Sequence, residues 1–138
     1  MMIYRVHKDE WKKMSYNAHL TCFGEFRDPE LDRIDYALLV VDDEAPLAYC
    51  TVREVDKATA YMQYGGAFPS LAKYKVLSAY LLMMKHLAGN YIRGTTLIEN
   101  TNLGMLKMAM KAGWLIKGLR VFDQSILLEH QINFEKVA

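Results

Sequence analysis

The sequence predicts a single α/β (α+β) domain spanning 1–138, built on a mixed, mostly antiparallel sheet of about six or seven strands with flanking helices. Three observations lead to this prediction. The 138 residues are 52% hydrophobic and 24% charged, as expected for one globular domain with one core. A strong hairpin pattern lies at 36–55. A long helical segment at 71–88 is apolar on more than one face, so it must pack against a sheet.

The first 35 residues predict a strand, a helix and a loop. Residues 3–6 alternate apolar and polar side chains, which is typical of a short strand. Residues 8 to about 20 have apolar side chains three and four apart, which favours a helix. Gly24 and Pro29 then break that period, so 21–35 is predicted to be an exposed loop that could act as a lid or substrate wall.

Three antiparallel strands are predicted next. The apolar run 36–41, a turn rich in acidic residues, and the alternating segment 47–55 form a hairpin pattern. An aromatic-rich strand at 59–68 follows and is interrupted by Gly65 and Gly66. Glycine inside a strand often marks a bulge, or a place where another backbone or a ligand comes close.

The second half predicts two helices and three strands. The helix at 71–88 is followed by a buried type of strand at 95–99. Asn102 has the chemistry of an N-cap for a helix at 103–112, and Gly113 stands where a left-handed C-terminal residue is expected. Two closing strands are predicted around a loop, at 114–117 and 124–129.

Charge is distributed unevenly along the chain. The balance of basic over acidic residues is −4 for residues 1–60, +7 for 61–120 and −2 for 121–138, and Glu99 is the only acid of the middle block. If that block forms one surface, it will attract a polyanion, either a phosphate-rich cofactor or, less favoured, a nucleic acid. The alternative is an ordinary solvated lysine face.

Cysteine and histidine usage gives no sign of a metal site. Cys22 and Cys50 stand alone, and the four histidines share no ligand spacing. We expect free thiols in a reducing compartment. The sequence has no apolar run of membrane-spanning length and is charged within its first ten residues, which predicts a soluble cytoplasmic protein with no membrane partner.

The predicted order of elements resembles the Gcn5-related N-acetyltransferase (GNAT) superfamily from end to end. The segment from Asn102 to Gly113 and Trp114 is similar to the family pattern Asn-x-x-Ala-x-x-x-Tyr-x-x-x-Gly-Phe. The resemblance implies that the fourth and fifth strands splay apart around an acyl-CoA, with the pyrophosphate against the amides that open the long helix. It places acetyl-CoA against Gly66, Ala67, Phe68, Lys73, Tyr74, Lys75, Val76, Leu77, Ser78 and Asn102.

Two residues depart from the family pattern. Val76 replaces the glycine of the pyrophosphate motif, and Ala109 replaces the tyrosine that protonates the departing thiolate. Tyr64, beside the two glycines of its strand, is the candidate acid, and Glu25 is a candidate base. Glu54 and Glu99 are further carboxylates to consider, and the amides of Gly65 and Gly66 could polarise the thioester carbonyl.

Two functions remain open at this stage. The first is an acyl-CoA-dependent N-acetyltransferase that transfers an acetyl group to an amine which the sequence does not name. The second is a non-catalytic GNAT-fold protein of a tailed bacteriophage, because residues 64–120 resemble small phage proteins associated with head assembly or the virion interior. Its partners would be phage structural proteins or DNA, and it would reside in the host cytoplasm or the virion.

Overall fold

The computed structural model describes residues 1–24, 33–69 and 73–134, without the side chains of Tyr64 and Lys73. A 3₁₀ turn at Lys73–Lys75 precedes the second α-helix. No helix in the described ranges is long and apolar enough to cross a membrane. The elements are β1 (Met2–His7), α1 (Lys8–Phe23), β2 (Tyr36–Asp42), β3 (Ala45–Asp56), β4 (Thr59–Ala67), α2 (Val76–Ala88), β5 (Arg93–Glu99), α3 (Leu103–Ala112), β6 (Leu115–Phe122) and β7 (Ser125–Asn133).

The strands of the described ranges form one seven-stranded sheet in the order β1-β2-β3-β4-β5-β7-β6. Neighbours are antiparallel, except that β4 and β5 run parallel. A parallel pair needs a long crossover, and α2 lies on that connection. The predicted mixed, mostly antiparallel sheet with flanking helices is confirmed.

The parallel pair separates partway along its length. Pairing runs from Thr59 opposite Arg93 to Met62 opposite Thr96, where the Thr96 hydroxyl donates to the Met62 carbonyl at 2.9 Å. Beyond that point β4 continues to Ala67, paired with β3, and β5 to Glu99, paired with β7, but the two strands no longer pair with each other. The predicted divergence of the fourth and fifth strands is therefore confirmed, and we call the opening the splay.

The helices cover the two faces of the sheet differently. On one face, here the α2/α3 face, both helices pack on the larger core, which includes Leu38, Met83 and Ala109. On the other face, here the α1 face, α1 packs against β1, β2 and β4 with Trp11 in its smaller core. No helix of the described ranges covers β5, β6 and β7 on the α1 face.

The last two strands are longer than predicted. Instead of short strands at 114–117 and 124–129, β6 and β7 form a hairpin around a two-residue turn at Asp123 and Gln124, with Asp123 at φ 55°. β6 is the outer strand and is exposed on both faces, so its sequence lacks the alternation that identifies a half-buried strand. Pairing with β7 decides its conformation.

Two details of the helices concern where α2 begins and which methionines of α3 pack on the core. The first two residues of the predicted helix 71–88 lie outside the described residues, and the α-helix proper begins at Val76, after the 3₁₀ turn. In α3, Met105 and Met108 pack on the larger core, whereas Met110 is 70% exposed. The local prediction for α3 holds at both ends, as described below.

Candidate active site

A β-bulge lies in β4 where the splay begins. Gly65 pairs with Cys50 and Met62 with Val52, so β4 has one residue more than β3 between these positions. The extra residue falls at Gln63 and Tyr64, next to the two glycines that mark a bulge in the sequence. Backbone groups of an antiparallel strand alternate between its two sides, so past Met62 those pointing away from β3 face the splay.

A cavity of about 640 Å³ lies between the end of β4 and the starts of α2 and α3. Its described lining carries no charged side chain, and we call it the apolar cavity. Gly104, Met108 and Pro69 line it and were missed by the sequence analysis, because helix periodicity does not reveal which positions of α3 border a cavity. Five predicted cofactor-binding residues also line it: Ala67, Phe68, Tyr74, Val76 and Leu77.

The start of α2 lacks a side-chain cap and carries a paired lysine. Lys75 is the N-cap residue, and no side chain caps the first amides of the helix. Unsatisfied amides at a helix start are donors for an anion. The Lys75 ammonium forms an ion pair with the Asp42 carboxylate, which lowers the pKa of Asp42 and raises that of Lys75. Ser78 is exposed, and the Lys73 side chain lies outside the described residues.

Gly66 is small because α1 packs against it. A Cβ at this position would stand 2.9 Å from the Cys22 Cβ and 3.0 Å from the Tyr49 ring. Its predicted cofactor contact therefore rests on its backbone amide and stays a prediction. Burial raises the pKa of Cys22 to about 11 and that of Cys50 to about 12, so both thiols are protonated at neutral pH.

The capping predictions for α3 are confirmed. The Asn102 side chain accepts the Met105 N–H at 3.2 Å, and Gly113 has φ 95°, the left-handed conformation that ends the helix. Asn102 is thus engaged in the cap, and its cofactor contact stays a prediction. Ala109, at the position of the family tyrosine, is fully buried and offers no proton donor.

A second cavity, of about 430 Å³, opens on the α1 face over the strands that α1 leaves uncovered. We call it the cationic cavity. Gln63 of the β4 bulge and Thr95 of β5 are among its polar walls. The sequence analysis did not identify this site, since its residues come from five strands and the segment before β2. Its charged lining consists of Arg33, Arg53, Lys117, Arg120 and Glu129.

The predicted catalytic residues are only partly described. Glu25 and the Tyr64 side chain lie outside the described residues, although the Tyr64 backbone is in the bulge. Glu54 accepts a hydrogen bond from the Tyr91 hydroxyl at 2.6 Å and lines neither cavity. Glu99 is exposed at the end of β5 and also lines neither cavity. Among described residues, Glu129 is the only carboxylate that borders either cavity.

Comparison with solved structures identifies the class of fold. The chain matches the ribosomal-protein-S18-alanine N-acetyltransferase of Escherichia coli with a TM-score of 0.76 and 10% identity, covering 96% of this chain and 93% of that one. It matches a GNAT family acetyltransferase from Elizabethkingia anophelis with acetyl-CoA bound at a TM-score of 0.74 and 12% identity, covering 96% and 97%. A mutant of the spermidine N-acetyltransferase of Vibrio cholerae matches at 0.73 and 10%, covering 99% and 97%.

These likenesses extend over nearly the whole of each chain at low identity, so they establish the fold. The protein has the GNAT fold. No protein-family model matches the sequence, and no curated protein sequence matches it.

Proposed function

We propose that the protein is an N-acetyltransferase that holds acetyl-CoA in the apolar cavity and transfers the acetyl group to an amine at the splay. The observation that carries this proposal is the loss of pairing between β4 and β5 beyond Met62 and Thr96. Past these residues the two strands are unpaired, a cavity lies on each face of the sheet, and β4 borders both cavities, through Gln63 on one side and Ala67 on the other. Two reactants can then meet from opposite sides.

The apolar cavity suits the cofactor in size and in chemistry. Its volume of about 640 Å³ lies within the ordinary range for small-molecule sites. Ala67, Phe68, Val76 and Leu77 would pack on the pantetheine arm, and the uncapped start of α2 would receive the pyrophosphate. When bound, the cofactor supplies an activated acetyl thioester. The Elizabethkingia neighbour, which has acetyl-CoA bound, supports this assignment.

The residues around the bulge would carry the chemistry. Backbone N–H groups of β4 that face the splay would donate to the thioester oxygen, where negative charge develops during transfer. Tyr64 would give its proton to the departing thiolate, since Ala109 cannot. Neither Cys22 nor Cys50 lines either cavity, so the acetyl group would pass directly from the thioester sulfur to the amine nitrogen, which loses a proton to solvent.

A second candidate is a GNAT-fold protein that binds ligands without acetyl transfer. Two observations favour it: Ala109 is buried where the family has its acid, and Val76 replaces the motif glycine at the cavity wall. Its phage form, with virion proteins or DNA as partners, rests on the sequence resemblance alone.

Calorimetry with acetyl-CoA tests the proposed cofactor site. A Cβ at Gly104 meets no atom within 4 Å, so Gly104→Ala should leave binding unchanged, whereas Gly104→Trp projects a large ring into the apolar cavity. We expect the tryptophan to weaken binding more than about tenfold, as expected when a ligand loses its space. Absence of binding to the wild-type protein at millimolar acetyl-CoA would refute the proposal.

Thiol release from acetyl-CoA in the presence of an amine panel separates the two candidates. The enzyme should release CoA above the background rate with at least one amine. Binding of acetyl-CoA without release across the panel would favour the non-catalytic candidate.

A further inference from the structure

The described lining of the cationic cavity has an excess of positive charge that the proposed acetyl-CoA site does not use. Arg53, Lys117 and Arg120 border it together with Arg33, against the single described carboxylate of Glu129. It opens on the α1 face, whereas the apolar cavity lies beside the starts of α2 and α3. The cationic cavity therefore suits a charged ligand, whereas the apolar cavity suits an apolar one.

Among the described lining residues, Arg53 and Lys117 supply positive charge that the Arg120–Glu129 ion pair does not offset. Arg120 forms an ion pair with Glu129, and the Arg53 guanidinium stacks 5.0 Å from the centre of the Tyr61 ring, a contact that keeps its charge. Lys117 is exposed and forms no ion pair among the described residues. A concave site with a net charge of one sign focuses its field and raises the local concentration of counter-ions.

We propose that the acceptor amine carries an anionic group, a carboxylate or a phosphate, that binds Lys117, Arg53 and Arg120. This inference rests on the proposed function, because it assigns the cationic cavity to the acceptor. Guanidinium groups bind both anions through two parallel hydrogen bonds, and a lysine ammonium adds a point charge. The amine itself would lie toward Gln63, which borders both this cavity and the start of the splay.

The same field selects against the other common class of acceptor. A polyamine such as spermidine carries several positive charges, and each would be repelled by the lining. The substrate preference predicted here is thus opposite to that named for the Vibrio cholerae neighbour, despite the shared fold.

Matched pairs of acceptors test the proposal directly. Glutamate against glutamine isolates a carboxylate, and glucosamine 6-phosphate against glucosamine isolates a phosphate. We expect the anionic member of at least one pair to have the higher kcat/KM by about tenfold, the scale of one charge-assisted hydrogen bond. Which pair responds distinguishes the two anions. A preference for the neutral members, or for spermidine, would overturn the proposal.

Two charge-reversal variants test whether the preference for anionic acceptors arises at the cationic cavity. Lys117→Glu should raise KM for the anionic acceptor about tenfold with little change in KM for acetyl-CoA. Lys85→Glu, on the exposed surface of α2, makes the same change in net charge and should leave both values within about twofold. Equal effects of the two variants would mean a general charge effect and would overturn the site assignment.

Calorimetry without acetyl-CoA keeps this proposal separable from the proposed function. Binding of glucosamine 6-phosphate or glutamate that Lys117→Glu abolishes supports the anion site, whatever the result for acetyl-CoA. If acetyl-CoA fails to bind, the proposed function is wrong, and so is the assignment of the cationic cavity to an acceptor amine. If acetyl-CoA binds and the anionic amines neither bind nor react, this inference alone is wrong.

Discussion

The apolar and cationic cavities flank the same strand and yet have opposite character. The described lining of the apolar cavity has no charged side chain, whereas that of the cationic cavity has five. The difference follows from what covers β4: α2 and α3 bury one face, and beyond α1 no helix of the described ranges covers the other face. No described side chain in the lining of the first cavity offers a charge for recognition, whereas charged side chains can supply it in the second.

This contrast explains why the pyrophosphate motif is hard to recognise in the sequence. A site built on helix amides and a bulge depends on backbone direction, and many side chains are compatible with that. Val76 can form an apolar wall of the cavity although it does not match the family glycine. A motif search weighs side chains and so gives such a site little weight.

The largest effect is expected at the strand that the two cavities share. Tyr64→Phe should lower turnover by roughly 10- to 10⁴-fold with little change in acetyl-CoA affinity, because it removes an interaction made only in the transition state. Steady-state kinetics with calorimetry would measure both quantities. If the variant kept the wild-type turnover, Tyr64 would not be the proton donor and would serve only in packing and hydrogen bonding within the sheet.

Charge near the apolar cavity provides the next test. Changing Lys73 and Lys75 together to Glu should weaken acetyl-CoA binding by about 1–3 kcal/mol if the pyrophosphate lies at the start of α2. Lys75 already pairs with Asp42, so we expect Lys73→Glu alone to account for most of the loss. Unchanged affinity in the double variant, measured beside Lys85→Glu, would place the phosphates elsewhere.

Two glycines near the splay should respond oppositely to alanine. Gly66→Ala forces a Cβ against Cys22 and Tyr49, and we expect a loss of about 1–3 kcal/mol in the free energy of unfolding. Gly104→Ala has open space on α3 and should gain up to about 1 kcal/mol from helix propensity. Urea denaturation measures both. A neutral Gly66→Ala would mean that α1 can shift away from β4.

The smallest effect concerns the ion pair beside the apolar cavity. Because Lys75 lowers the pKa of Asp42 below its ordinary value of 3.8, the pair stabilises the fold above that pH. This contribution is lost as the pH falls through the lowered pKa. Asp42→Asn should therefore reduce the loss of stability at acid pH, measured by thermal unfolding against pH. Identical pH profiles for both proteins would show that the pair contributes nothing.

Local chemistry in the sequence predicted much of the fold. Asn102 and Gly113 set the ends of α3 through contacts within the helix, and Gly65 beside the bulge marks an interruption within one strand. The order of strands and helices also predicted the splay, since it matches a known topology. These features depend on neighbours in the chain or on element order, both of which the sequence displays.

Only the tertiary structure decided the rest. β6 lacks alternation of its own and is a strand because β7 pairs with it. The contact of Cys22 with Gly66 and the pairing of Lys75 with Asp42 join residues far apart in the chain. The cationic cavity likewise gathers side chains from Arg33 to Gln131. Such contacts depend on how twisted strands and packed helices bring distant residues together. The spacing of residues along the chain does not reveal these long-range contacts.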